Sequence, residues 1–376
     1  MENFYTHPSC FGITGHSRSI IQDLNRCKYV FAPIWLTTAL EENVYLTIGK
    51  LRSILKKNDD ESNIEDYLRF LIENEIIYQT NKMLHFQKIP LNFETPSVIT
   101  NSILVFKDVD LKKLSNLVNE FEDLGCKHIQ MYIPVIGDFT ILGKVLSLFK
   151  KSIIQQIELI SNYNSVFSDM DKIAKLFSKH PRLFKLYLAD SLEDKKVYMD
   201  LFQIKDVVFC TEKFDFIQCG GAHPLRFQNN LPFFTESQAH NTCLNRKLCI
   251  DAEGNIKNCP VMERSFGNIK GTTLQEAIEK PGFKELWFIH KDQIDVCKDC
   301  EFRHMCTDCR CFIKDPENIY SQPAKCTYNP YICKWEGQDG YIPVEECGNY
   351  ARETGFVPDH EKIKELNKQI WGDDDE

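Results

Sequence analysis

Across residues 97–225 the chain alternates short apolar runs with amphipathic stretches. The runs at 103–106, 128–133, 154–160, 184–188 and 207–210 predict strands. Between the first two, Leu111, Leu114, Leu117, Val118, Phe121 and Leu124 recur at helical spacing, and Gly125 supplies a C-terminal stop. A second helical stripe, Ile173, Leu176 and Phe177, ends before Pro181. Strand–helix units repeated every 20 to 30 residues or so build a parallel sheet wrapped by helices. Five units are too few for a closed eight-fold barrel, so the pattern predicts an α/β fold with a partial βα barrel or open sheet.

Residues 1–90 read differently, as a small α+β unit. Stretches 12–14, 19–23 and 28–31 alternate as strands do, with Asn25-Arg26 as a turn. A helical pattern follows near 46–55. Ser62 and Glu65 form a capping-box signature before a helix reaching about Asn74, with Ile64, Leu68, Leu71 and Ile72 on one face. A strand at 76–79 closes the unit. Such a winged-helix-like unit with an open strand edge suits the capture of an extended peptide, or simple packing on a neighbour. Pro90 and Pro96 mark a linker. From about Pro224 periodicity fades into a Cys-, Asn-, Pro- and aromatic-rich region of the kind usually stapled by metal. The expected layout is a peptide-recognition unit at 1–90, a barrel-like domain at 97–225 and a Cys-rich domain at 236–350. A helix with an acidic tail fills 351–376.

Charge and composition narrow the function classes. A net charge of −9 over 376 residues argues against nucleic acid as the main partner. The chain has no apolar run long enough to span a membrane and no signal-peptide pattern at its start, so a cytoplasmic protein is expected. In that reducing setting the 16 cysteines are better read as metal ligands than as disulfides. Cys10, Cys27, Cys126, Cys210 and Cys219 are scattered and read as small buried hydrophobes.

Nine cysteines lie from Cys243 to Cys326. Cys249 and Cys259 flank a hairpin pattern in which Ile250 and Ile256 alternate across Glu253-Gly254-Asn255. Cys297 and Cys300, then Cys306 and Cys309, form two Cys-x-x-Cys steps, followed by Cys311 and Cys326. Soft thiolates at this density hold zinc or an iron–sulfur cluster, and the spacing alone leaves both open. Cys219-Gly-Gly-Ala-His223 could frame an active site but reads more simply as a tight turn. His304 is expected to face solvent, and Arg18 and Arg26 could meet acidic residues of a bound peptide or be ordinary surface charge. No phosphate-cradling loop is present.

The run from Cys243 to Cys326, with Gly254 four residues before Cys259 and the trailing Phe266-Gly-Asn-Ile269, resembles a SPASM domain. That domain is the C-terminal extension of many radical-SAM peptide-modifying enzymes. The resemblance implies two [4Fe–4S] clusters, one on Cys243, Cys249, Cys259 and Cys309, the other on Cys297, Cys300, Cys306 and Cys326. The usual spacing would place one ligand at Arg310, between Cys309 and Cys311, and Cys309 is preferred. Cys333 and Cys347 are left over. Radical-SAM enzymes also carry three cysteines in a Cys-x3-Cys-x2-Cys loop after the first barrel strand. Here residues 107–111 contain none, and no such spacing occurs elsewhere, so radical-SAM chemistry and an S-adenosylmethionine site are not expected. The stretches 15–24, 71–75 and 300–309 resemble the SPASM-domain maturase of grasp-with-spasm systems for ribosomal peptide natural products (graspetides). That resemblance implies a precursor leader peptide and an ATP-grasp ligase as partners. A zinc-stabilised adaptor and a non-standard radical or redox enzyme are the alternatives.

Overall fold

The computed structural model describes residues 3–43, 45–58, 63–80, 82, 87–351 and 354–372. The chain divides into two compact units. The first contains Met1–Phe93, Gly220–Thr242 and Phe288–Glu376; the second contains Glu94–Cys219 and Cys243–Trp287.

The first unit begins with β1 (Asn3–Thr6), β2 (Cys10–Thr14), β3 (Ser19–Asp23) and β4 (Lys28–Ala32). Then come α1 (Ile34–Glu42), α2 (Ile48–Lys57), α3 (Ile64–Glu73) and β5 (Ile77–Thr80). β2, β3 and β4 form an antiparallel sheet with β3 in the middle, buried at every position, while β5 returns to pair with β1. The turn between β3 and β4 is set by Asp23, whose Oδ1 accepts the amides of Asn25 and Arg26 at 3.1 and 3.2 Å. α3 is capped by Asn63, whose side chain accepts from the Glu65 amide. The expected cap Ser62 lies outside the described residues. Ile64, Leu68 and Leu71 are buried as expected, but Ile72 is 44% exposed, because it falls at the margin of the apolar stripe. α1 escaped the pattern because Thr37, a polar residue, takes a core position beside Leu36, Ala39 and Leu40.

The second unit runs β6 (Asn101–Val105), α4 (Leu111–Asp123), β7 (His128–Tyr132), α5 (Phe139–Leu148), β8 (Gln156–Asn162), α6 (Met170–Lys179) and β9 (Leu183–Ala189). β10 (Lys195–Tyr198), β11 (Asp206–Phe209), β12 (Lys247–Ile250) and β13 (Ile256–Lys257) complete it. These make one eight-stranded sheet, ordered β10-β11-β9-β8-β7-β6-β12-β13. The six inner strands are parallel, and β10 and β13 pair antiparallel at the two ends. All five predicted runs became strands of this mixed α/β sheet. Gly125, at φ +74°, ends α4, and a Cβ there would meet the Ser97 backbone at 3.0 Å. α5 was not predicted: the run before it is apolar throughout, and only Asp138, accepting from the Thr140 and Ile141 amides, signals its start. Among the described residues no helix is long and apolar enough to cross a membrane.

Candidate metal centre

Four of the predicted ligands come together in the first unit. Cys297, Cys300, Cys306 and Cys326 line one pocket, walled by Val296, Phe227, Phe302 and Trp335. Little regular structure builds it. Cys297–Asp299 is a single 3-10 turn, and Val296 just before it has φ +66°. A β-branched residue in that region costs about 1–3 kcal/mol and survives only where surrounding contacts fix it. The Cys297 amide, bonded to the Asp295 carbonyl at 2.7 Å, is one such contact. The knuckle also rests on the turn between β2 and β3. The His16 amide donates to the Asp299 carbonyl at 2.8 Å, and Arg303 Nη1 donates to the Thr14 carbonyl at 2.7 Å. A Cβ on Gly15 would meet the Glu301 amide at 2.8 Å, so only glycine permits this approach.

Lys291 is the pocket's cation. It is 4% exposed, and its Nζ lies 3.5 Å from Cys306 Sγ and 3.8 Å from Cys297 Sγ. Burial disfavours its charge, yet the thiols around it and Asp308 hold its pKa well above the usual lysine range. Burial pushes the Cys297 thiol up to about 12 and also raises Cys300 and Cys306. Metal ligation requires thiolates, so loading such a site releases protons. Next to Cys300, Glu301 is fully buried. Its Oε1 accepts from Arg18 Nε at 2.7 Å and from the Tyr328 hydroxyl at 2.5 Å. Arg18 also stacks over Phe31 at 3.9 Å. It is therefore committed to an internal pair, whereas Arg26 is exposed and pairs with Asp23 and Glu75, each at 2.7 Å.

His304 corrects the expectation of a solvent-facing residue. It is 4% exposed, its Nδ1 lies 3.0 Å from Ser237 Oγ, and burial lowers its pKa to about 4. Arg310 explains the departure from the usual spacing. It forms an ion pair with Asp308 at 2.7 Å, both side chains 1% exposed, and donates to the Ile319 and Ser321 carbonyls. Neighbouring Cys309 is buried against Gly220, whose backbone has φ +84° and where a Cβ would lie 2.9 Å from the sulfur. The Gly-Gly segment after Cys219 is thus an irregular stretch packed on Cys309 and not the expected tight turn, with His223 capping the short 3-10 turn Pro224–Arg226. Cys311 is half-buried.

The second unit carries Cys243, Cys249 and Cys259. The β12–β13 hairpin pairs Ile250 with Ile256 and Cys249 with Lys257, two residues before Cys259. Gly254, at φ +87°, makes its turn. Cys249 and Cys259 are both buried. Lys247 Nζ lies 3.5 Å from Cys243 Sγ; burial opposes its charge, but Cys243, Cys259 and Cys219 raise its pKa. Cys309, the remaining residue of that predicted set, belongs to the first unit. Of the scattered cysteines, Cys10 and Cys126 are buried as expected. Cys27 and Cys219 are exposed and Cys210 is half-buried, which corrects the reading of all five as core residues.

Residues 242–301 match the SPASM family, an iron–sulfur cluster-binding domain. The SPASM match takes in Cys243, Cys249, Cys259, Cys297 and Cys300 and stops short of Cys306, Cys309 and Cys326. No curated protein matches the chain. Among solved structures, Streptococcus suis SuiB is similar at 10% identity over 86% of this chain and 99% of that one, with a TM-score of 0.38. SuiB bound to S-adenosylmethionine is 11% identical over 82% and 96% of the two chains, with a TM-score of 0.34. SuiB bound to its precursor peptide SuiA is 10% identical over the same shares, with a TM-score of 0.29.

The donor set fits an iron–sulfur cluster. Four cysteines line one apolar-walled pocket, a buried ammonium sits beside two of their sulfurs, and the Phe302 amide bonds the Cys300 sulfur. Among the described residues no three His, Cys, Asp or Glu side chains converge as ligands of a single metal ion.

Proposed function

We propose that this protein is an iron–sulfur SPASM protein of ribosomal peptide natural-product maturation, carrying two [4Fe–4S] clusters. Cys297, Cys300, Cys306 and Cys326 would hold one. Cys243, Cys249 and Cys259 would hold the other, with Cys309 assigned as their fourth partner on the family resemblance. When bound, such clusters supply electron transfer or a rigid inorganic crosslink. The observation that carries this reading is that four cysteines, from positions as far apart as 297 and 326, line one pocket, two of them with sulfurs within 3.8 Å of the buried Lys291 Nζ. The protein residues then have defined tasks. Lys291 balances negative charge, Phe227, Phe302 and Trp335 keep water from the sulfurs, and the Arg18–Glu301–Tyr328 group ties the N-terminal hairpin to the knuckle.

The N-terminal strands are proposed to take the leader of a precursor peptide, with an ATP-grasp ligase as working partner. The support is β4, which among the described residues is an edge strand paired on one side, and which presents Phe31 at 46% exposure. Anaerobically purified protein should contain roughly eight iron and eight sulfide, the content of two four-iron clusters. Stoichiometric zinc without charge-transfer absorbance would overturn the proposal in favour of a zinc-stabilised adaptor. Cys309→Ala and Cys311→Ala separate the two ligand candidates, because only the true ligand's loss lowers iron content. Leader binding is tested by fluorescence anisotropy of labelled leader peptides on the full chain, with loss of binding expected for Phe31→Asp.

A further inference from the structure

Each proposed thiol set has a lysine beside its sulfurs, and among the described residues no carboxylate lies at ion-pair distance from it, although Asp308 adds a more distant negative charge at Lys291. Lys291 reaches Cys297 and Cys306, and Lys247 reaches Cys243. Among the described residues neither lysine forms an ion pair with Asp or Glu, whereas nearby Lys257 pairs with Asp251 at 2.9 Å. Lys291 is buried and Lys247 partly buried, and an ammonium withdrawn from water without a paired charge is costly. Neutral thiols would be poor compensation. The counter-charge that suits both lysines is therefore negative charge held on the sulfurs.

We infer that Lys291 and Lys247 are dedicated counter-charges, one for each sulfur-ligated centre, which raise its reduction potential. This rests on the iron–sulfur reading. Reduction by a low-potential donor such as dithionite adds one electron and makes or breaks no bond to the protein. An ammonium 3.5–3.8 Å from the ligand sulfurs favours the state carrying the extra negative charge. The same N–H groups aimed at sulfur act in that direction too. Both lysines are positioning residues and need not touch a substrate.

The test is an anaerobic redox titration of the full chain, followed by electron paramagnetic resonance, on the wild type and on Lys291→Met, Lys291→Arg, Lys247→Met and Lys247→Arg. Each Met variant is expected to move one cluster signal to a more negative midpoint and leave the other in place. The matching Arg variant should move it back toward wild type. If a Met variant loses that cluster's iron while its Arg variant keeps it, charge is again the cause. Midpoints and iron content that match wild type in both Met variants would overturn the inference, as would equal losses in the Met and Arg variants. Wild-type protein lacking iron and sulfide would instead sink the underlying reading.

Discussion

The two thiol sets are built on opposite principles. Cys249 sits on a strand of the eight-stranded sheet, where Leu248, Ile250 and Ile256 share a core with Leu104, Ile129 and Leu159. Backbone pairing with β6 and apolar burial should hold this hairpin with or without metal. Cys297, Cys300, Cys306 and Cys326 lie instead among 3-10 turns and two-residue strands, with a strained Val296 at the entrance. One set decorates a scaffold that already exists. The other forms much of its own scaffold, so metal should matter far more to it.

The largest expected effect follows from that contrast. Stripping metal with a chelator under anaerobic conditions should greatly raise amide exchange across residues 291–330. Exchange in β6, β12 and β13 should stay near its starting level. Hydrogen-exchange mass spectrometry before and after chelation measures this. Equal loosening in both places would show that the hairpin also depends on metal.

Leu248→Ala probes the other side of the comparison. Leu248 is fully buried, and its truncation should cost about 2–5 kcal/mol, read from the second unit's denaturant transition. Iron bound through Cys297, Cys300, Cys306 and Cys326 should be retained. Loss of that iron would mean the two sets are not separable in this way.

Arg18→Met tests how the first unit supports its set. It leaves the Glu301 carboxylate buried with only the Tyr328 hydroxyl as partner. Breaking a buried pair costs about 3–5 kcal/mol, and the 28% exposure of Arg18 discounts this to about 2–3 kcal/mol. Chemical denaturation checks it, and Arg18→Met combined with Glu301→Gln should recover part of the loss. A double variant no better than the single one would show that the ion pair is not what stabilises this junction.

How far these arrangements could be read in advance depended on sequence distance. The five parallel strands were legible because each is a compact apolar run followed by a helical stripe. The thiol spacing was legible because ligands repeat at short intervals. Lys291 was not, since nothing local marks one lysine among many, and only folding puts it against Cys306, 15 positions on. Arg18 meets Glu301 across 283 positions and Ser237 meets His304 across 67, distances over which a single sequence gives no pairing signal. β12 looked like part of a self-contained cysteine module, and its place beside β6 comes from long-range parallel pairing.

The smallest predicted effect concerns acid. Burial opposes the charge on Asp23, but the Arg26 side chain and the Arg26 and Asn25 amides outweigh it and lower its pKa below the usual 3.8. A carboxyl depressed in the folded state stabilises above its unfolded pKa, and that contribution fades as pH falls through the folded value. The first unit should therefore lose stability below about pH 4, where the unfolded chain takes up the proton before the folded one does. Asp23→Asn removes this titration while keeping an oxygen to accept from the turn amides. Its denaturation midpoint should be lower than wild type at neutral pH and converge with it below about pH 4. Parallel curves over that range would mean the β3–β4 turn is held by its backbone, with the carboxylate charge contributing nothing. The hairpin has its own counterpart in Asp251, where burial opposes the charge but Lys257 and Asn255 lower the pKa, so its turn should respond to acid in the same direction.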